Sequence, residues 1–297
     1  MSRNVLGAIY LSLAASIWGG MYVVSKYVLD FVPPLTLVFF RYVIAFVVLF
    51  FILKITERKS GRIRFTKNDW LLLIWIGFIG YFVSISLQFI GTKLSDAHTG
   101  ALITSATPAF IVLFAKFVLN ETTTFRKLLA LCFATVGVII VIGFHPTTGQ
   151  TFWGSIILVG AAITWALLSV YVKLASQRFS SLTTTTYAIL FAMVFTGPVA
   201  VWELQSNELI LENFYVVLGI LYLGIVSTAG AFFLWNKGLE MMDAGIGSLF
   251  FFFQPLVGSF LGWLLLDEML EKNFFIGGLF IIIGACIAVA KQEQNDG

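Results

Sequence analysis

Charge is what this sequence has least of. Charged residues make up 11% of its 297 residues, against about a quarter in an ordinary soluble domain. With 59% hydrophobic residues and a mean hydropathy of +0.97, that scarcity excludes a soluble globular protein and specifies an integral membrane protein. Cysteine is nearly absent too: Cys132 and Cys286 stand alone in apolar runs, form no metal-ligand spacing, and are expected in the core. Acid is missing where a membrane proton relay would need it, because all fifteen Asp and Glu fall in loops or at the ends of apolar runs. The two histidines, His98 and His145, also lie near run ends. A proton site, if coupling is by protons, then has to be a rim group such as Asp96, Asp243, Glu121 or Glu268. No His-Glu-x-x-His or Gly-x-Ser-x-Gly pattern occurs, so an enzyme is not expected. No symmetric set of charges marks a channel filter.

What the chain has instead is apolar runs of about 20 residues, the length an α-helix needs to cross a hydrocarbon core about 30 Å thick. Ten are expected, over about 5–27, 33–54, 70–91, 98–119, 125–143, 153–175, 182–203, 213–236, 244–266 and 272–290. The first, Val5 to Tyr27, is too long for a signal peptide and reads as the first helix. The longest loop, 55–69, carries Arg58, Lys59, Arg62, Arg64 and Lys67, with Lys54 at its edge. Basic loops stay cytoplasmic. Placing this one inside puts 13 Lys/Arg on inner segments and three (Lys26, Lys93, Lys272) on outer ones, with both termini cytoplasmic.

The sequence repeats itself without a gap at an offset of 147 residues: Gly7 meets Gly154, Trp18 meets Trp165, Lys26 meets Lys173, Gly77 meets Gly224, Gly91 meets Gly238, Pro108 meets Pro255 and Glu121 meets Glu268. The chain therefore divides into residues 1–147 and 148–297, five helices each. Five is odd, so the second half crosses the membrane in the opposite sense. Inverted repeats are an architecture of secondary transporters, with the solute site near the midplane between the halves and at interrupted helices. The interruptions here are Thr107-Pro108 and Gln254-Pro255, and the prolines are expected hinges.

The stretches "SIWGGMYVVSKYV", "PPLTLVFFRYVIAF", "GTKLSDAHTGALITSATPAF", "LNETTTFRKLLALCFATVGV", "ITWALLSVYVKLA", "LWNKGLEMMDAGIGSLFFFFQPLVG" and "LLDEMLEKNFFIGGLFIIIGA" span nearly the whole chain. They resemble the drug/metabolite transporter superfamily, specifically its ten-helix EamA-type carriers. The resemblance implies an all-α basket of ten helices around a central cavity, without a separate soluble domain. It also implies a bacterial inner-membrane protein that exports small metabolites or amino acids, with a drug permease or uptake carrier of the same fold as the alternative. Expected partners are the bilayer and a small-molecule substrate; no cofactor, metal or nucleic acid is expected. The coupling mode (proton or exchange) and the oligomeric state stay open.

Arg41 is the one charge deep in a span, eight residues after Pro33 and so about 12 Å along the helix. Two readings stand: a fixed positive charge for an anionic group of the substrate, or an anchor for carbonyls of a broken helix. Lys116, Lys26 and Lys173 sit at helix ends and read as interface anchors. Candidate cavity residues are Trp18 and Trp165, Gln88 and its repeat mate Trp235 with Asn236 beside it, and Thr104, Thr107 and Gln254 around the prolines. Tyr22, Tyr81 and Tyr171 are further aromatic candidates. Gly258 and Gly262 read as a helix-packing face.

Overall fold

A computed structural model of the chain describes residues 3–60, 65–95, 100, 103–104, 106–142, 149–266 and 272–289. Asp96, His98, His145 and Glu268 lie outside them. Among the described residues the protein is all-α, in ten successive helical segments: α1 (Arg3–Val28), α2 (Pro34–Ser60), α3 (Lys67–Leu94), α4 (Thr107–Val118), α5 (Phe125–Ile142), α6 (Gln150–Ala175), α7 (Ser181–Leu204), α8 (Phe214–Met241), α9 (Ala244–Leu265) and α10 (Lys272–Val289). Seven of these, α1–α3 and α6–α9, are long and apolar enough to cross a membrane. Large apolar side chains such as Phe51, Leu71, Phe117, Trp153 and Phe275 face outward. That is no liability when the surrounding solvent is as apolar as leucine. The two cysteines belong to this outer face: Cys132 on α5 and Cys286 on α10 are free and exposed rather than in the core. Apolar character alone could not distinguish a lipid-facing site from a buried one.

Two helices run past their apolar stretches because polar ends hold them. α3 starts at a capping box in which Thr66 and Asp69 bond each other's backbone N–H groups. α8 continues to Met241 through a Lys237–Glu240 pair at 2.8 Å.

The packing crosses between the sequence halves. α1 packs against α8 and α9; its repeat mate α6 packs against α3 and α4. α2 packs on α7, and α5 on α10. Matched glycines make these crossings twice. A Cβ on Gly91 would stand 3.0 Å from the Gly154 carbonyl, and one on Gly238 would stand 3.0 Å from the Gly7 carbonyl. Gly77 likewise lies against Ala188 and Phe191 of α7, while its mate Gly224 lies against Ile44 of α2. The inversion follows from which helix ends meet. Arg3, at the start of α1, reaches the Glu240 carbonyl near the end of α8, and Lys173, at the end of α6, reaches the same end of α8. The first helices of the two halves therefore run antiparallel. Two mixed groups result, α1/α8/α9 and α3/α4/α6, each drawing helices from both halves.

α1 and α9 cross with backbone against backbone: a Cβ on Gly19 would lie 2.6 Å from the Gln254 carbonyl and 2.8 Å from the Gly258 nitrogen. Those are rigid backbone atoms, so Gly19→Val is expected to lower stability by about 1–3 kcal/mol through overpacking. At Gly160 the nearest atom is a flexible Leu87 methyl at 3.3 Å. Gly160→Ala is thus expected to be neutral, or stabilising by up to about 1 kcal/mol. Thermal unfolding in detergent compares the two; equal effects would contradict this account of the crossing.

Candidate functional site

Helix interruptions position the site. α3 and α8 each contain a π-helical stretch, Ile76–Ser84 and Tyr222–Gly230, within one residue of the repeat offset. Wider turns of this kind misalign the backbone ladder and leave carbonyls seeking other donors. Side chains of neighbouring helices supply them: the Trp18 indole donates to the Ser227 carbonyl at 3.0 Å, and the Tyr42 hydroxyl donates to the Tyr81 carbonyl. α9 is interrupted differently: after an α-helical turn, Ala244–Gly247, it passes through a 3-10 stretch, Ser248–Phe252, and becomes α-helical again at Phe253. Pro255 falls in the first turn of that α-helical part, and Pro108 in the first turn of α4. For Pro108 this is a helix N-terminus, where a missing N–H costs least. Pro255 follows helical residues without a break and leaves the Phe251 carbonyl, four residues back, without an α-helical donor.

Between the two mixed helix groups lies a partly open cavity, about 350 Å³ of space between atoms with the open part counted in. One wall is Trp18 and Met21 of α1, Phe232 of α8, and Phe251 and Gln254 of α9. The other is Ser84, Ile85 and Gln88 of α3, Thr104 and Thr107 at the start of α4, and Ala161 and Trp165 of α6. Eight of these twelve residues form four pairs at the 147-residue offset: Trp18/Trp165, Ile85/Phe232, Thr104/Phe251 and Thr107/Gln254. The cavity therefore sits on the pseudo-two-fold axis. Its floor is aromatic, the Trp18 ring lying 5.2 Å from Trp165, 5.8 Å from Phe232 and 5.7 Å from Phe251.

Six of the nine candidate binding residues line this cavity: Trp18, Gln88, Thr104, Thr107, Trp165 and Gln254. The other three stand one layer behind. Trp235 backs the wall, 5.3 Å from Trp18 and 5.1 Å from Phe251. Asn236 ties α8 to Tyr81 and Thr185 at 3.0 and 2.7 Å. Arg41 is fully buried; its Nε donates to Thr228 at 2.6 Å, an Nη donates to Ser227 at 3.4 Å, and the guanidinium lies 5.0 and 5.7 Å from the Phe89 and Phe232 ring centres. Among the described residues no carboxylate pairs with it. Phe232 and Met21 stand between it and the cavity. Sequence reasoning missed Met21, Ser84, Ile85, Ala161, Phe232 and Phe251. Phe251 was within reach, because it is the repeat mate of Thr104.

Contacts between the two groups cap the cavity on both faces, again as repeat mates. On one face Gln88 donates to the Tyr22 hydroxyl at 2.6 Å and Lys26 donates to the Ser95 carbonyl at 3.0 Å. On the other, Trp235 donates to the Ser169 hydroxyl at 3.3 Å, and Lys173 donates to the Leu239 and Met242 carbonyls at 2.8 and 2.7 Å. Lys26 and Lys173, expected to anchor to the interface, thus cap helix ends of the opposing group. That second face has a further clasp. Asn120, in a left-handed conformation at φ 55°, turns the chain after α4. Glu121 then accepts from the Ala244 and Gly245 amides at the start of α9, at 2.7 and 3.1 Å. Lys127 bridges Glu121 and Asp243 at 3.2 and 3.3 Å.

The model of the EamA-like transporter family matches residues 5–143 and again residues 152–290. A protein of Bacillus subtilis (strain 168) described as "uncharacterized transporter YetK" is 29% identical over 99% of this chain and 90% of its own length. The S-adenosylmethionine/S-adenosylhomocysteine transporter of Chlamydia trachomatis serovar L2 is 27% identical over 96% of this chain and 89% of its own. A crystal structure with 20% sequence identity shares the fold at a TM-score of 0.80, covering 97% of this chain and 99% of the other.

Proposed function

Because the chain belongs to the EamA-like transporter family and is a membrane transporter, we propose that it is a secondary carrier that exports an amino acid or related metabolite by alternating access. The observation that carries this is the placement of the cavity on the pseudo-two-fold axis, lined from both halves by residue pairs at the repeat offset. A site on such an axis can open to either side with similar contacts, which is what alternating access requires. The mate contacts on its two faces, Gln88–Tyr22 with Lys26–Ser95 and Trp235–Ser169 with Lys173–Met242, are the two gates. They break in turn as α1/α8/α9 rock against α3/α4/α6. The likeness to a carrier of S-adenosyl compounds, which contain an amino-acid moiety, agrees with such a solute.

Arg41 supplies positive potential behind the aromatic wall, biasing the cavity toward solutes with a negative end. In the low-dielectric interior such a field reaches across one side-chain layer. The protein lies in the bacterial inner membrane with both termini cytoplasmic; a reporter active only in the cytoplasm, joined to the C-terminus, tests that orientation, and an inactive fusion overturns it.

In liposomes, the purified protein is expected to give saturable, trans-stimulated counterflow of at least one member of a panel of amino acids and S-adenosyl compounds. Flux that neither saturates nor responds to solute on the far side would contradict a carrier. Arg41→Gln is expected to leave folding intact and abolish counterflow of a carboxylate-bearing solute; normal counterflow in a well-folded variant would sink its role.

A further inference from the structure

Eight buried side-chain polar atoms have no hydrogen-bond partner among the described residues, and three of them belong to residues that line the cavity. They are Gln88 Oε1, Gln254 Oε1 and Trp165 Nε1. Gln254 and Trp165 are nearly fully buried, at 1% and 6% exposure. Leaving a buried polar group unpaired costs about 1–3 kcal/mol, so three at one site call for a ligand that pairs them.

The hydrogen-bond directions around Tyr22 fix which end of each glutamine amide faces which way. Thr104 has one hydroxyl proton, and it goes to the Gly100 carbonyl at 2.7 Å. Tyr22, 2.9 Å from Thr104, must then donate to it. With the Tyr22 proton spent, its oxygen can only accept, which it does from Gln88 Nε2 at 2.6 Å. Gln254 Nε2 likewise turns to the Thr104 oxygen, at 3.5 Å. The relay that ends on the Gly100 carbonyl thus takes N–H from both glutamines and leaves both amide oxygens over. Flipping Gln254 would set its oxygen against the Thr104 oxygen, and flipping Gln88 would require both hydroxyl protons of the relay to reverse and the Gly100 carbonyl to lose the Thr104 donor.

We infer that the cavity selects solutes whose polar head carries N–H donors, a primary amine or carboxamide, read by the Gln88 and Gln254 oxygens while the Trp165 N–H meets an acceptor on the same solute. The inference rests on the carrier reading in that the cavity is taken as the solute site. It adds a residue-level basis for choosing among solutes of one shape. Among the described residues no lining side chain is ionisable, so donor geometry at the wall adds to the bias that the Arg41 potential gives toward solutes with a negative end. Tyr22 is a positioning residue, because its hydroxyl holds the Gln88 amide in the orientation that exposes its oxygen. The aromatic floor takes the apolar body of the solute.

The test uses two uncharged probes on the same 3-phenylpropanoyl body, 3-phenylpropanamide, which has two N–H donors, and methyl 3-phenylpropanoate, which has none and is one heavy atom larger. Their binding to the full chain in lipid nanodiscs is measured by calorimetry. The amide is expected to bind at least about tenfold tighter, the scale of one hydrogen bond whose buried partner would otherwise stay unpaired. Gln88→Met is expected to weaken amide binding by about tenfold and to leave the ester within about twofold. Tyr22→Phe, which frees the Gln88 amide to rotate, is expected to shrink the amide-to-ester ratio to within about threefold. An ester that binds as well as the amide, an amide that does not bind, or an equal loss of both probes in Gln88→Met would overturn the inference. Since the wild-type pair suffices, a variant that does not fold leaves the test standing. Binding is read here and flux in the counterflow assay. Trans-stimulated flux without amide preference would remove the donor selectivity and keep the carrier; amide preference without flux would do the reverse.

Discussion

The rest of the structure depends on one constraint: the first helix of each half must lie backbone to backbone against helices of the other half, which is inserted upside down. Side chains would hold the helices too far apart for that, so glycines stand at the crossings. Gly7 against Gly238 and Gly154 against Gly91 are the same contact made twice, and Gly19 brings α1 onto α9 where no Cβ could fit. In a bilayer, where burying apolar surface gives little drive to associate, close packing at small residues is a main source of helix–helix affinity. The exchange of first helices makes the two helix groups mixtures of both halves. The cavity opens along the seam between these groups, and that is why its walls carry repeat-related residues.

The same seam explains the polar chemistry. A backbone interrupted inside a membrane must still find hydrogen-bond partners. The π-helical stretches of α3 and α8 find them in Tyr42 and Trp18, side chains of neighbouring helices. Arg41 is held by Thr228 and Ser227 of the α8 stretch rather than by a carboxylate, so a full positive charge rests on neutral dipoles and aromatic faces. Of the two readings that the sequence allowed for it, its bonds are those of a structural anchor, and its proposed part in solute choice would act through Phe232, which lies against it.

How much of this was legible in the sequence varied with the kind of signal. The span pattern and the repeat could be read directly, because Trp, Gly and Pro that match at a fixed offset rarely do so by chance; that the matched glycines are crossing points took the structure to see. Trp18, Trp165, Thr107 and Gln254 were legible for the same reason. The π-helical stretches were not, since an extra residue in a helical turn leaves no compositional mark. Neither were the contacts on the two faces of the cavity as a related pair: their members differ in chemistry, Tyr22 matching Ser169 and Gln88 matching Trp235. The two faces are alike in position yet different in chemistry, and a search for identical residues misses such pairs. The cysteines misled because a lipid-facing residue and a core residue have the same polarity in a membrane protein.

The central claim is that two helix groups, each drawn from both sequence halves, move against each other about the cavity. Double electron–electron resonance between nitroxide pairs tests it most directly, with one pair at Asp30 and Lys93 by the Lys26 gate and another at Arg3 and Gln177 by the Lys173 gate. Adding a transported solute to the protein in lipid is predicted to change the two distances in opposite senses, one lengthening as the other shortens. Distances that both stay fixed, or that change together, would contradict the account.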